Sequence, residues 1–223
     1  MAAATLRVSE IFQSLQGEST RVGLPTVFIR LTGCPLRCTW CDTAYAFTGG
    51  ESLTLEDILT RVAAFDCPTV CVTGGEPLAQ ANCLPLLTAL CDTGYSVSLE
   101  TSGALDIGKV DARVARIVDL KAPDSGEADK NRWENLELLR PTDELKLVLA
   151  SRADYDWAKQ VIAGRRDEKS ALAGRQIPCP ILFSPVWDRL GTADMAQWIL
   201  DDRLNVRFQL QLHKILWKET RGR

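Results

Sequence analysis

Cys34, Cys38 and Cys41 fall within eight positions of the stretch RLTGCPLRCTWCDTAYAF, residues 30–47. Clustered thiolates bind soft metals, and an iron–sulfur cubane normally takes four of them. Three in one tight loop can hold three irons and leave the fourth open to a chelating small molecule. Zinc, the other metal to weigh, wants four ligands in closely spaced pairs. The chain has no second such pair beside a histidine, and His213 is its single histidine. Cys67, Cys71, Cys83, Cys91 and Cys179 sit mostly inside apolar patterns, where a thiol acts as a small buried hydrophobe. CPTVC (residues 67–71) could supply further ligands, yet Cys71 alternates with Val70 and Val72 as a strand residue does.

An open iron can take an amine and a carboxylate together, and S-adenosylmethionine carries both on its methionine end. That sets its sulfonium beside the cluster for one-electron cleavage, which demands a pocket closed to bystander groups. A second unusual stretch, GGEP (Gly74–Pro77), suits such a ligand. Gly74 and Gly75 permit close backbone approach at a strand end, and Glu76 can accept hydrogen bonds from an ammonium group. On its own, GGEP is also compatible with a plain turn.

These residues need a scaffold that brings them together. Short apolar runs predict strands at residues 26–31, 69–73, 95–100, 116–120, 144–150, 180–184 and 206–212. Helical periodicity fills the gaps. Leu55, Ile58, Leu59 and Val62 share a face, with Thr54 and Asp57 spaced as a capping box. Leu84, Leu87, Leu90 and Cys91 share another, closed by Gly94. Thr192 is placed to cap a third helix bearing Met195, Trp198 and Ile199, and weaker patterns cover residues 130–139 and 153–162. Strands separated by helices imply parallel pairing with right-handed crossovers. Six such units and a last strand are too few for eight-fold closure. The expected fold class is therefore α/β, a partial TIM-like (β/α)6 barrel, as a single domain over residues 1–223. Parallel α/β folds gather ligands at the carboxyl ends of their strands. The cysteine loop, GGEP, TSG (101–103), DLKAP (119–123), FSP (183–185) and QLHK (211–214) all fall at such ends. One composite site follows.

Composition narrows the partners. The chain has 223 residues, 46% hydrophobic and 25% charged, with a net charge of −3. No field favours nucleic acid or an anionic membrane. No apolar run reaches the length of a membrane helix, and the first residues carry no signal-peptide pattern. The expectation is a cytoplasmic protein whose eight cysteines form no disulfide framework. The polar stretch PDSGEADKN (123–131) reads as surface or lid, and KETRGR (218–223) as a solvated tail.

With CxxxCxxC at Cys34, Cys38 and Cys41, Trp40 before the last cysteine and GGEP downstream, the chain resembles the radical S-adenosylmethionine superfamily. EIFQSLQGES (10–19), GLPTVFIRLTGCPLRCTWCDT (23–43), VTGGEP (72–77), LETSG (99–103) and QLHK narrow the resemblance to the 7-carboxy-7-deazaguanine synthase family. EIFQSLQGES is the discriminating segment. The resemblance implies a 4Fe–4S cluster on Cys34, Cys38 and Cys41. It places S-adenosylmethionine against Trp40, Asp42, Gly74, Gly75, Glu76, Gly103, Asp119, Lys121, Ser184 and Pro185. It also implies a pterin substrate held by Leu15, Gln16 and Gly17, within an N-terminal segment of about residues 1–25, and by Arg30, Thr101, Gln211 and His213. Magnesium would sit on Thr43 in the cluster loop, residues 33–47. A guanidinium at position 30 suits a substrate carboxylate through paired hydrogen bonds.

The implied reaction converts 6-carboxy-5,6,7,8-tetrahydropterin to 7-carboxy-7-deazaguanine with loss of ammonia, toward queuosine. The implied assembly is a homodimer with an external electron donor of the flavodoxin or ferredoxin type. Several relatives read Ser-Pro-Lys where this chain reads DLKAP, so Lys121 is the matched position there. Short relatives end soon after the His-Lys pair, whereas this chain runs on through ILWKETRGR (215–223). Two rival readings exist. A glycyl-radical activase would share the cysteine loop, GGEP and DLK, but has no reason for FQSLQGES. An iron–sulfur electron carrier or redox sensor would bind no S-adenosylmethionine and would tolerate Glu76→Ala.

Overall fold

The computed structural model describes residues 4–164, 176–218 and 220–222. Its strands are β1 (Thr5–Leu15), β2 (Pro25–Leu31), β3 (Glu51–Thr54), β4 (Thr69–Gly74), β5 (Ser96–Thr101), β6 (Ala115–Lys121), β7 (Glu144–Leu149), β8 (Ile181–Pro185) and β9 (Arg207–Phe208). They form one sheet in the order β3-β1-β2-β4-β5-β6-β7-β8-β9. From β2 through β9 every neighbouring pair is parallel. Helices α1 (Leu55–Ala63), α2 (Cys83–Asp92), α3 (Arg152–Ile162) and α4 (Thr192–Asp201) lie between strands, and a short α5 (Leu212–Trp217) follows β9. This is the expected partial barrel. Among the described residues, no helix is long and apolar enough to cross a membrane.

Strand alternation decides what faces inward. Val27, Ile29 and Leu31, Val70 and Val72, and Val97 and Leu99 join a core with side chains of α1 and α2. Leu145, Leu147 and Leu149 join a second core with side chains of α3 and α4. The opposite parity puts Arg30, Thr73, Glu100, Asp119, Lys121 and Lys146 on the concave face. Each buried Val or Leu is worth about 1.5–3 kcal/mol, and a one-residue slip would expose them all. The outer apolar stripes therefore hold the inner polar ring in place.

Several elements depart from the sequence pattern. β1, not anticipated, runs antiparallel to β2 and β3. Leu6 and Val8 are buried in alternation, but the register shifts between Val8 and Glu10, and such a bulge reverses the phase. β3 is only four residues long, too short to show a period. The strand expected at 206–212 shrinks to Arg207–Phe208. Past it, Gln209 accepts from Ser19 N at 2.8 Å and donates to Ser19 O at 2.7 Å, while Leu212 N donates to Gly17 O at 2.9 Å. These bonds close the open seam of the barrel with residues 17–19.

The capping box of Thr54 and Asp57 is present, and Gly94 follows α2 at φ +92°. At α4 the cap is Gly191 and Thr192 is already helical. The Asp194 carboxylate folds over Gly191, so a Cβ there, 2.3 Å from Asp194 Oδ2, would push that side chain aside. Residues 130–139 form no α-helix but fall in two 3₁₀ turns, Ala128–Lys130 and Trp133–Leu138. Asn131 interrupts the run by pairing its side chain with Lys121 N (2.9 Å) and Lys121 O (2.8 Å), and Asn135 Nδ2 reaches Gly103 O at 2.9 Å. Asparagine side chains compete for backbone partners in this way.

Candidate active site

The carboxyl ends of the strands enclose a cavity of about 810 Å³. Leu15, Gln16, Gly17, Arg30, Cys34, Cys38, Trp40, Cys41, Asp42, Thr43, Gly74, Gly75, Thr101, Asp119, Lys121, Gln211 and His213 all lie on its wall. Four expected site residues, Glu76, Gly103, Ser184 and Pro185, are instead buried behind it.

Each of the four has a physical reason. The Glu76 carboxylate is filled by the chain itself: Thr101 Oγ1 (2.9 and 3.0 Å), Ser102 N (2.7 Å), Ser102 Oγ (2.5 Å) and Leu78 N (2.9 Å) donate to it. It locks the end of β4 to the end of β5 and sets Thr101 on the wall. Gly103, at φ +73°, gives its carbonyl to Arg132 N and Asn135 Nδ2. Ser184 shares the register and inward face of the lining residue Val148, with its buried hydroxyl left without a hydrogen-bond partner, and Val186, two residues on, takes the wall position. Pro185 has the outward parity of β8.

Cys34, Cys38 and Cys41 are free and half-buried. Burial pushes the Cys34 and Cys38 thiols up, while the nearby Lys121 ammonium pulls both down. Leu36 N donates to Cys34 Sγ at 3.4 Å, in the same direction as Lys121. Among the described residues, no three His, Cys, Asp or Glu side chains converge closely enough for one metal ion. A zinc site needs such convergence. A cubane holds its irons at separate corners and takes its thiolates from around a void, and all three cysteines line this cavity.

Two further observations fit a bound group. A Cβ on Gly75 would stand 2.3 Å from Gly33 O and 2.7 Å from Cys34 Cβ. Only glycine lets the GGEP turn lie against the cysteine loop. Overpacking of this kind costs about 1–3 kcal/mol. Gly75→Ala is therefore expected to lower iron retention after anaerobic reconstitution about tenfold, with circular dichroism unchanged; full iron content would show the contact to be unimportant. The second observation is Asp119 Oδ1, buried with no hydrogen-bond partner, while Oδ2 lies 3.2 Å from Lys121 Nζ and 3.5 Å from Lys146 Nζ. A buried acceptor left open on a cavity wall suits a ligand donor.

The structure also adds residues that sequence reasoning missed. Lys146 pairs with Glu18, whose other oxygen accepts from Gln211 Nε2 at 2.7 Å. Burial opposes charge on Glu18, but Lys146 and then His213, with hydrogen bonds from Lys146 and Gln211, outweigh it and hold the carboxyl at about 2. Burial likewise opposes charge on Lys146, yet Glu18, Asp119 and Glu100 keep it protonated well above its ordinary value. Glu100 accepts from Gln16 Nε2 (3.2 Å) and Thr73 Oγ1 (2.9 Å). Arg30 Nε bonds Glu10 Oε1 at 2.6 Å, Tyr45 OH donates to the same oxygen at 2.7 Å, and the guanidinium lies over Phe12 and Tyr45. A usable signal existed: Lys146 is a charge set between leucines in the strand run ELKLVLA, and Glu100 is the one charge of YSVSLE, at its end.

His213 sits in the first turn of α5 rather than at a strand end, with Nε2 4.0 Å from Asp42 Oδ2. A Cβ on Gly17 would fall 2.4 Å from His213 Nδ1, so a side chain there would displace the His213 ring. Thr43 Oγ1 lies 3.8 Å from Cys41 Sγ. In the stretch expected as a solvated tail, Lys218, Thr220 and Arg221 are exposed, and they also reach the cavity rim. Lys218, Thr220, Arg221 and Gly222 line the cavity, with the Arg221 guanidinium 4.1 Å over the Tyr45 ring. A cation over an aromatic face holds it there. Residues 219 and 223 lie outside the described residues.

Comparison with known proteins agrees with this geometry. The family model of the Radical SAM superfamily matches residues 28–125. The 7-carboxy-7-deazaguanine synthase of Chlorobaculum tepidum is 48% identical, over 98% of this chain and 98% of its own length. That of Koribacter versatilis is 40% identical, over 97% and 100%. The crystal structure of QueE from Escherichia coli shares the fold, with a TM-score of 0.70 over 94% of this chain and 95% of that one at 24% identity. The chain belongs to the 7-carboxy-7-deazaguanine synthase family, within the radical S-adenosylmethionine superfamily.

Proposed function

We propose that this protein converts 6-carboxy-5,6,7,8-tetrahydropterin to 7-carboxy-7-deazaguanine and ammonia, on the way to queuosine. One observation carries the reading. The turn at residues 15–17 and the Arg30 guanidinium stand on the same cavity wall as Cys34, Cys38 and Cys41. An activase or an electron carrier has no use for a small-molecule anchor at that place.

When bound, the cluster and S-adenosylmethionine together supply a carbon radical that takes hydrogen from the substrate and returns it. The chain contributes position and shielding. Among the described residues, the terminal nitrogens of Arg30 carry no hydrogen bond, and Glu10 holds Nε, which leaves the fork for the substrate carboxylate. The Thr43 hydroxyl is a hard ligand for magnesium beside the substrate oxygens. Leu15, Gln16, Gly17, Thr101, Gln211 and His213 frame the pterin. Trp40, Asp42, Gly74, Gly75, Asp119 and Lys121 face S-adenosylmethionine, and Glu76, Gly103, Ser184 and Pro185 shape that wall from behind. α5 and the following rim residues limit water access. Hydrogen that leaves as an atom needs no side-chain base.

The reading extends to context: one domain over residues 1–223, a homodimer, a flavodoxin or ferredoxin as reductant, and the cytoplasm, where eight free thiols are kept reduced. The test is anaerobic reconstitution followed by reductive cleavage of S-adenosylmethionine with and without the pterin. Product is expected without matching consumption of S-adenosylmethionine. Cleavage that ignores the pterin, with no product, would remove the specific assignment and leave the superfamily standing.

A further inference from the structure

Thr39 lies between Cys38 and Cys41 and is exposed, yet its backbone and side-chain polar atoms are tied to two distant loops. Its N donates to Ser125 O at 3.0 Å, and its hydroxyl donates to Asp124 O at 3.0 Å. From the other side, Arg189 Nη1 donates to Thr39 Oγ1 and Arg189 Nη2 to Thr39 O, each at 3.2 Å. The Arg189 guanidinium also lies over the Trp40 ring. A parallel tie joins Arg37 N to Glu127 Oε1 at 2.9 Å.

The loops involved are those after β6 and β8, which continue from Asp119 and Lys121 and from Val186 on the cavity wall. The first is itself anchored, since the Asp154 carboxylate accepts from Asp124 N and Ala150 N, both at 3.0 Å. Asp124, Ser125 and Glu127, within the stretch 123–131 read from sequence as surface or lid, thus back the cysteine loop. The cysteine loop has little regular structure of its own, and ligand positions are set by the partners around them.

We propose that Thr39 is a positioning residue for the iron–sulfur cluster, its hydroxyl bridging the loops after β6 and β8 so that the cysteine thiolates keep their spacing. This rests on Cys34, Cys38 and Cys41 being the cluster ligands. The bridge needs both capacities of a hydroxyl, one hydrogen bond given and one taken. Valine supplies neither, and serine supplies both.

The experiment compares wild type, Thr39→Ser, Thr39→Val and Arg189→Leu after anaerobic reconstitution. It reads the rate at which a ferrous chelator strips iron, with circular dichroism of each chain as the folding control. Thr39→Val is expected to lose iron about tenfold faster, as two lost hydrogen bonds would predict, and Thr39→Ser to stay within about twofold of wild type. Arg189→Leu is expected in between. Wild-type rates in Thr39→Val, or equal acceleration in Thr39→Ser, overturn the proposal. Should Thr39→Val fail to fold, Arg189→Leu decides: iron loss at the wild-type rate overturns it. A wild-type chain that binds no iron is a separate result, which removes the ligand assignment and the proposal with it.

Discussion

Lys146→Met is expected to destabilise the protein by about 3–5 kcal/mol at neutral pH, because it leaves Glu18 and Asp119 without the cation between them. Lys146 and Glu18 are only 11% and 10% exposed, so water cannot take over. The pH dependence identifies the cause. In the native protein Glu18 titrates at about 2 against an ordinary 4.5. A depressed carboxyl stabilises fully above the unfolded value and loses that contribution as pH falls toward the folded one. Wild type should therefore weaken from about pH 4.5 down to 2. The variant, whose Glu18 has lost its strongest partner, has less to lose, and the gap between the two narrows on acidification. At the other end the gap should persist past 10.5, the ordinary lysine value, since Lys146 holds its proton above that. Urea unfolding midpoints across pH measure both limbs. A gap that stays constant from neutral pH down to 3 would mean that some other contact of Lys146 was lost.

The second large effect is expected at Arg30. Arg30→Met removes the fork that the proposed reaction uses for the substrate carboxylate. Losing one partner of a desolvated charge pair costs about 2–5 kcal/mol, which is roughly 30- to several thousandfold in kcat/KM. KM should carry much of the loss, because the carboxylate is bound in the ground state as well. Arg30→Lys keeps the charge but neither the fork nor the Nε bond to Glu10, and falls between. Cleavage of S-adenosylmethionine without pterin should be little changed, which separates substrate anchoring from damage to the cluster. An Arg30→Met protein with wild-type KM would place the carboxylate elsewhere on the wall.

Arg30 and Lys146 also mark how far local pattern reaches. Arg30 was legible through the family resemblance, and its place next to the end of β2, on the face it shares with Phe28, agrees with that. Lys146 was visible as a charge between leucines in ELKLVLA, but nothing nearby says what it meets. Its partner Glu18 lies 128 positions earlier in the chain. Glu76 shows the converse. Its place at a strand end is plain from GGEP, but its carboxylate is taken up by Thr101 and Ser102, which only the parallel neighbour β5 brings within reach. The tail is a related case: its exposure is plain from KETRGR, but the seat of Arg221 over Tyr45 at the cavity rim is not.

Short-range chemistry was decided locally. The spacing of Cys34, Cys38 and Cys41 and the two glycines after β4 depend on residues a few positions apart. The period-two stripes that make a partial barrel repeat within each strand, so these features survive reading one residue at a time. The cavity's ring of charges, the seam closed by Gln209 and Ser19 across 190 positions, and the hold on Thr39 depend on register and on which loops share one mouth. Those follow from how nine strands pack, a cooperative outcome of many apolar contacts, and no single segment encodes it.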